Sequence, residues 1–142
     1  MTEKACQNVL IANLEAPLRR TVLETLARRG VRGTVVASWE LAAQMVGEQD
    51  WDLVLAEAAG PGGPQAGDDN GWLEFLRATK AELPELPVVI FGSGESARQA
   101  VQAVRSGCED FLVKPVAPRT LETLLETLLP NHDVPVAAAA EE

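Results

Sequence analysis

Trp51-Asp52-Leu53-Val54-Leu55-Ala56-Glu57 is an apolar run closed by a single carboxylate. A strand that is apolar at successive positions, not at alternate ones, is buried on both faces, as the parallel strands of an open α/β sheet are. Such sheets place their chemistry at the carboxyl ends of the strands, so Glu57 stands where a site is expected. Further along, Phe111-Leu112-Val113-Lys114-Pro115 puts a lysine just past another strand-like run. An ammonium can therefore face the Glu57 carboxylate across one sheet edge.

The same punctuation repeats on both sides of this stretch. Val9 to Ala12 is a short apolar run ended by Asn13, and Pro17 then opens a segment with Leu18, Val22 and Leu26 at helical spacing before Gly30. Thr34 to Ala37 is a second strand. Ser38 caps a helix whose inward face is Leu41, Met45 and Val46, stopping at Gly47. After Glu57 a long turn, Ala58 to Asn70, leads to a helix from about Gly71 to Ala81 with Leu73 and Leu76 inward. Val88 to Phe91 and Phe111 to Val113 are further strands, separated by a helix from Glu95 to Ser106 and a stop at Gly107. A final helix runs from about Pro118 to Leu129. Strict alternation of strand and helix requires parallel pairing through right-handed crossovers, so five βα units predict a doubly wound α/β sheet. Its loops bring Asn13, Leu14, Glu15, Glu57, Gly92, Ser93, Lys114 and Pro115 to one edge.

Composition narrows the function. The chain has 142 residues, 46% of them hydrophobic, enough for one ordinary core: a domain over 8–129, a short extension over 1–7 and a tail or linker start over 130–142. A net charge of −9 gives no footprint for nucleic acid or an anionic membrane. No run of roughly 18 apolar residues exists to span a bilayer, and no leader is visible, which predicts a cytoplasmic protein. Cys6 and Cys108 form no CxxC or Cys/His pattern, so a zinc site and a disulfide framework are both disfavoured. Neither GxGxxG nor GxxxxGK[ST] occurs, and Gly60-Pro-Gly-Gly-Pro64 reads as turn chemistry, which argues against a nucleotide-binding enzyme. His132 and the pair Asp68-Asp69 read as solvated polar residues.

Together, the five-unit order, Asp52 to Glu57, Pro61, the Asn70-Gly71 turn and Gly107-Cys-Glu-Asp-Phe-Leu-Val-Lys114-Pro115 resemble the receiver domain of bacterial two-component response regulators. The segment from Pro87 to Pro115 is similar to receivers of transcription regulators, including those of sigma-54-type activators. The resemblance implies a flavodoxin-like fold with strand order 2-1-3-4-5. It also implies phosphoryl transfer to an aspartate ending the third strand, Mg²⁺ held by an acidic pair after the first, and a lysine and a hydroxyl residue on the phosphoryl oxygens.

Judged by that pattern, the chain keeps the scaffold and departs in its chemistry. Glu57 replaces the acceptor aspartate, and its extra methylene displaces the carboxylate by about 1 Å, a shift that harms positioned chemistry. Asn13 and Leu14 replace the acidic pair; Glu15 follows, its side chain expected to leave the loop in another direction. Mg²⁺ is usually held by one or two carboxylates, so its binding is expected to be lost, with no metal and no cofactor. Gly92 stands where the hydroxyl residue belongs and Ser93 one place later, whereas Phe111, Lys114 and Pro115 match. These departures predict a non-enzymatic, atypical receiver acting through protein partners: an attached or associated effector, a homodimer and, as the resemblance implies, a sensor kinase. Leu121, Leu124, Leu125 and Leu128 make a leucine face wider than one core stripe needs, hence a candidate dimer surface. Two other readings stay open. One is a phosphoacceptor that recruits Glu15 or Ser93; the other is a small-ligand sensor lined by Leu14, Gly92 and the long loop. Restoring Asp at positions 13, 14 and 57 is expected to create Mg²⁺ binding.

Overall fold

Leu53 and Leu55 belong to one hydrophobic core of the folded chain and Val54 and Ala56 to another, which is what a continuously apolar strand gives when its side chains alternate across a sheet. The computed structural model describes residues 7–58, 71–92 and 97–129. In chain order the elements are β1 (Asn8–Ala12), α1 (Ala16–Arg28), β2 (Arg32–Val36), α2 (Trp39–Val46), β3 (Leu53–Glu57), α3 (Gly71–Glu82), β4 (Val88–Gly92), α4 (Ala97–Arg105), β5 (Asp110–Val113) and α5 (Pro118–Leu128). All strand pairs are parallel, in the order β2-β1-β3-β4-β5. The five-stranded, five-helix architecture read from the sequence is therefore the observed one. The termini expected over 1–7 and 130–142 lie almost wholly outside the described residues, as do Cys6, Pro61, Asp68, Asp69, Ser93 and His132.

Local chemistry explains where the elements begin and end. Ser38 Oγ accepts the Leu41 N–H at 3.0 Å and caps α2, while proline occupies the first turn of α1 and of α5. Gly30 and Gly107, at φ +73° and +101°, take the left-handed conformation that ends α1 and α4. Asp52 Oδ2 accepts the Asn8 N–H at 2.8 Å and so ties the start of β3 to β1. The second strand starts at Arg32, two residues before the sequence placed it. The interior glycine hid this start, yet Gly33 makes room for Ile11, Leu23 and Leu26, which would lie 3.1 Å from a Cβ there.

The leucine face of α5 requires a correction. Leu121, Leu124, Leu125 and Leu129 are all buried in the core formed with α1, and Leu128 packs partly against it. Two helices share one face of this sheet, so α5 spends its wide apolar stripe on α1 and on the strands beneath, leaving little for a partner. The large hydrophobic side chains that do reach solvent include Val101 and Val104 on α4 and Val113 on β5.

Candidate functional site

Three loops and two strand ends build the site at the C-terminal edge of the sheet. Glu57 is the last residue of β3, in register with Phe91 of β4, and only 3% of it is exposed. One carboxylate oxygen, Oε1, accepts the backbone N–H of Glu15 at 2.7 Å. The other, Oε2, accepts a hydrogen bond from Lys114 Nζ. Lys114 is aimed there by its own backbone, whose N–H donates to the Gly92 carbonyl at 2.9 Å. The Lys114–Pro115 peptide that follows is cis.

Glu15 corrects the sequence expectation: its carboxylate does not leave the site. Glu15 Oε2 lies 3.3 Å from Lys114 Nζ, so one ammonium is shared by two carboxylates, one buried and one exposed. Burial alone would pull the Lys114 pKa down. The hydrogen bond and charge of Glu57, reinforced by Glu15, outweigh it and hold the ammonium above its ordinary value of 10.5.

Asn13 and Leu14 depart from the same edge in two other directions. Asn13 has φ +60°, a conformation asparagine tolerates better than most residues, and its N–H donates to Val36 O at 3.0 Å. With its amide oriented by its partners, Nδ2 donates to Ala37 O at 2.7 Å and Oδ1 accepts from Trp39 Nε1 at 3.1 Å. Asn13 is thus a latch between the β1–α1 and β2–α2 loops. Leu14, only 2% exposed, sits in the core of the α1/α5 face. The long loop of the apolar ligand pocket considered from the sequence lies outside the described residues.

Trp39 was not legible as a site residue. Its ring packs tilted against Phe75, with centroids 5.4 Å apart, and lies over Gly71, where a Cβ would come within 2.5 Å of Trp39 Cδ1. The only sequence signal was an aromatic just after the Ser38 cap. Gly92, the site's hydroxyl-equivalent position, is buried beneath the Phe111 ring.

The described side chains at this edge are already engaged. The Asn13 amide is committed elsewhere, Leu14 is apolar and buried, and the two carboxylates that do converge are joined through an ammonium. Among the described residues no three or more His, Cys, Asp or Glu side chains cluster as metal ligands. A cleft of about 850 Å³ bordered by residues 46–52 and 82–87 opens at the opposite end of the strands and plays no part in the site.

Residues 9–126 match the family model of the response regulator receiver domain. The chain belongs to the receiver family. Curated relatives of this receiver include the response regulator protein FleR of Pseudomonas aeruginosa, 30% identical over 117 residues. Another is the phosphate regulon transcriptional regulatory protein PhoB of Klebsiella pneumoniae, 24% identical over 125 residues. The matches cover 82% and 87% of this chain but 23% of FleR and 52% of PhoB, so the receiver spans about a quarter of one relative and about half of the other. Among solved structures, the chemotaxis response regulator CheY4 of Vibrio cholerae superposes with a TM-score of 0.73 at 20% identity, covering 88% of this receiver and all of that chain. NtrX of Brucella abortus gives 0.73 at 25% identity, covering 87% of this receiver and 27% of that chain. Among the described residues no helix of the receiver is long and apolar enough to cross a membrane.

Proposed function

We propose that this receiver is an atypical, non-enzymatic signalling domain that works by protein contact in the cytoplasm and takes up no phosphoryl group or Mg²⁺ at the Glu57 site. The observation that carries the reading is the closed arrangement of Glu57. Both carboxylate oxygens are engaged, the Lys114 ammonium is shared with Glu15, and the residues that would supply metal ligands are turned into a latch and a core. A glutamate offers one charge and two acceptor oxygens against nearly two charges and three oxygens on a phosphoryl group, so Glu57 imitates a phosphorylated residue only in part. The output, by analogy with relatives named as transcriptional regulators, is control of transcription through an attached or associated domain.

The decisive experiment is the intact mass of the protein after incubation with Mg²⁺ and a small-molecule phosphodonor, beside a competent receiver as positive control. An unchanged mass is expected; a gain of one phosphoryl group refutes the reading. The nearness of Glu15 to Lys114 favours a second reading, in which Glu15 is recruited as a metal ligand and a nearby residue accepts phosphate. Mapping the modified residue would identify it.

For the contact face we propose α4 and β5 in place of α5. Val101, Val104 and Val113 are 50, 61 and 52% exposed there, beside exposed Arg98 and Arg105 on α4 and exposed Glu109 and Asp110 at the start of β5. Two copies related by a twofold axis can set those arginines against those acids. Sedimentation as a monomer at high protein concentration, unaffected by V104E, would count against a homodimer.

A further inference from the structure

The loops that follow α2 and α3 gather negative charge at the sheet edge remote from Glu57. They border the cleft of about 850 Å³, whose lining includes Glu48, Asp50, Asp52, Glu82 and Glu85 but no lysine, arginine or histidine. Val46 ends α2 and Glu82 ends α3, so both helices present their carbonyl ends to the cleft. The helix dipole is negative there, and a carboxylate beside it is unfavourable. No basic residue stands in the last turn of α2. In α3 the last turn holds Lys80, but its ammonium is committed to the loop backbone, donating to Pro84 O at 2.9 Å and Leu86 O at 2.8 Å. Those bonds also hold one rim of the cleft in place.

Two of the acids have partners within the fold. Asp52 Oδ2 accepts the Asn8 N–H at 2.8 Å, and Glu48 accepts the Gln44 amide at 3.2 Å. Asp50, Glu82 and Glu85 are exposed and meet no cation among the described residues. Between the acids the lining is apolar. Trp51 and Leu86 are its buried part, the indole fixed by Nε1 donating to Met45 O at 2.8 Å, and Leu83 reaches solvent with 38% of its surface. Among the described residues no three acids come close enough to hold a metal ion, so the charges are spread along the cleft and not focused on a point. An ordered groove with an apolar floor and separated, uncompensated anions fits an extended occupant that carries cations at intervals.

We propose that this cleft docks a basic, partly apolar segment of a partner protein. Its lysines or arginines lie against Asp50, Glu82 and Glu85, and its aliphatic side chains lie on Leu83, Trp51 and Leu86. Charge complementarity selects this occupant: the chain carries a net charge of −9, so a second copy would bring like charge to the rim, whereas a basic segment is drawn to it. The cleft is also within the range of about 300 to 1,000 Å³ usual for sites that enclose a ligand. The proposal goes beyond the Glu57 site and the α4–β5 face, and it can fail while both readings stand.

The test titrates the isotopically labelled whole chain, at low salt, with a heptapeptide alternating lysine with leucine, and follows amide signals. Those of residues 47–52 and 82–86 should move, and those of Glu57 and Lys114 should stay in place. D50N/E82Q/E85Q should weaken binding about tenfold or more, and L83S about fivefold. All four side chains are exposed, so these variants keep the fold. E24Q/E40Q/E74Q removes as many charges from exposed positions outside the cleft and should change affinity less than about twofold. Equal weakening by the two triple variants would reduce the attraction to net charge and overturn the site. Full affinity in L83S, shifts that map elsewhere, or no shift at about 1 mM peptide would overturn it as well. Spermine binding to the same amides as tightly as the peptide would make the occupant a small polyamine and overturn the assignment to a protein segment.

Discussion

Replacing Lys114 by methionine keeps most of the side-chain volume and removes the ammonium. Glu57, 3% exposed, is then left with the Glu15 N–H on one oxygen and, among the described residues, no ion-pair partner. Breaking a fully buried ion pair costs about 3 to 5 kcal/mol, and leaving a buried polar group unsatisfied about 1 to 3 kcal/mol. The Lys114 side chain is 22% exposed and one Glu57 hydrogen bond survives, which places K114M at about 2 to 3 kcal/mol. In urea, with an m-value of about 2 kcal/mol/M, the midpoint should fall by about 1 to 1.5 M at unchanged slope. Tryptophan fluorescence follows the transition, since Trp39, Trp51 and Trp72 all pack in or against the core. The companion variant decides the cause. E57Q/K114M removes the stranded charge and should recover at least half of the loss, because a neutral amide still accepts the Glu15 N–H. A K114M midpoint within about 0.25 M of the unmodified protein, or a double variant no more stable than K114M, would refute the claim that a buried carboxylate is held by its ammonium.

Further consequences concern the residues around the site. L14A should cost about 3 kcal/mol, and L14D, which puts a carboxylate into a core position 2% exposed, should prevent folding. Restoring aspartates at positions 13, 14 and 57 is thus expected to destroy the fold before it creates Mg²⁺ binding, which circular dichroism of the triple variant checks. N13A should lose about 2 kcal/mol in the same urea assay and alter Trp39 emission, through two broken hydrogen bonds and a strained φ. Cys108, whose thiol is raised from 9.0 to about 11 by burial and then by the nearby Asp110 charge, should react with iodoacetamide at pH 8 about tenfold more slowly than an ordinary thiol, measured in C6S. The same shift fixes the sign of a pH effect. The unfolded chain releases the Cys108 proton near pH 9 and the folded chain only near 11, so stability present below pH 9 falls between them. The raised Lys114 pKa extends that loss beyond pH 10.5, and C108A should flatten the 9-to-11 part of the profile.

The sequence by itself determined the layers, the element types and the edge at which the site forms. Apolar runs such as Leu53 to Ala56 and Val88 to Phe91 are local signals of burial on both faces, and Gly30 and Gly107 mark helix ends by a backbone requirement that needs no distant partner. It also placed Glu57 and Lys114 at that edge, because chain order and parallel pairing leave those strand ends little choice. Only the tertiary structure decided which way side chains leave the loops. Asn13 at φ +60° turns its amide to Trp39 and sends Leu14 into the core, while Glu15 swings back to Lys114, a set of directions that no spacing rule encodes. The surroundings of the α5 leucines and of Gly92 were decided in the same way. A hydrophobic stripe does not say whether its cover is α1 or another molecule, and a glycine does not say which ring fills its vacant volume, since both depend on neighbours far away in the chain.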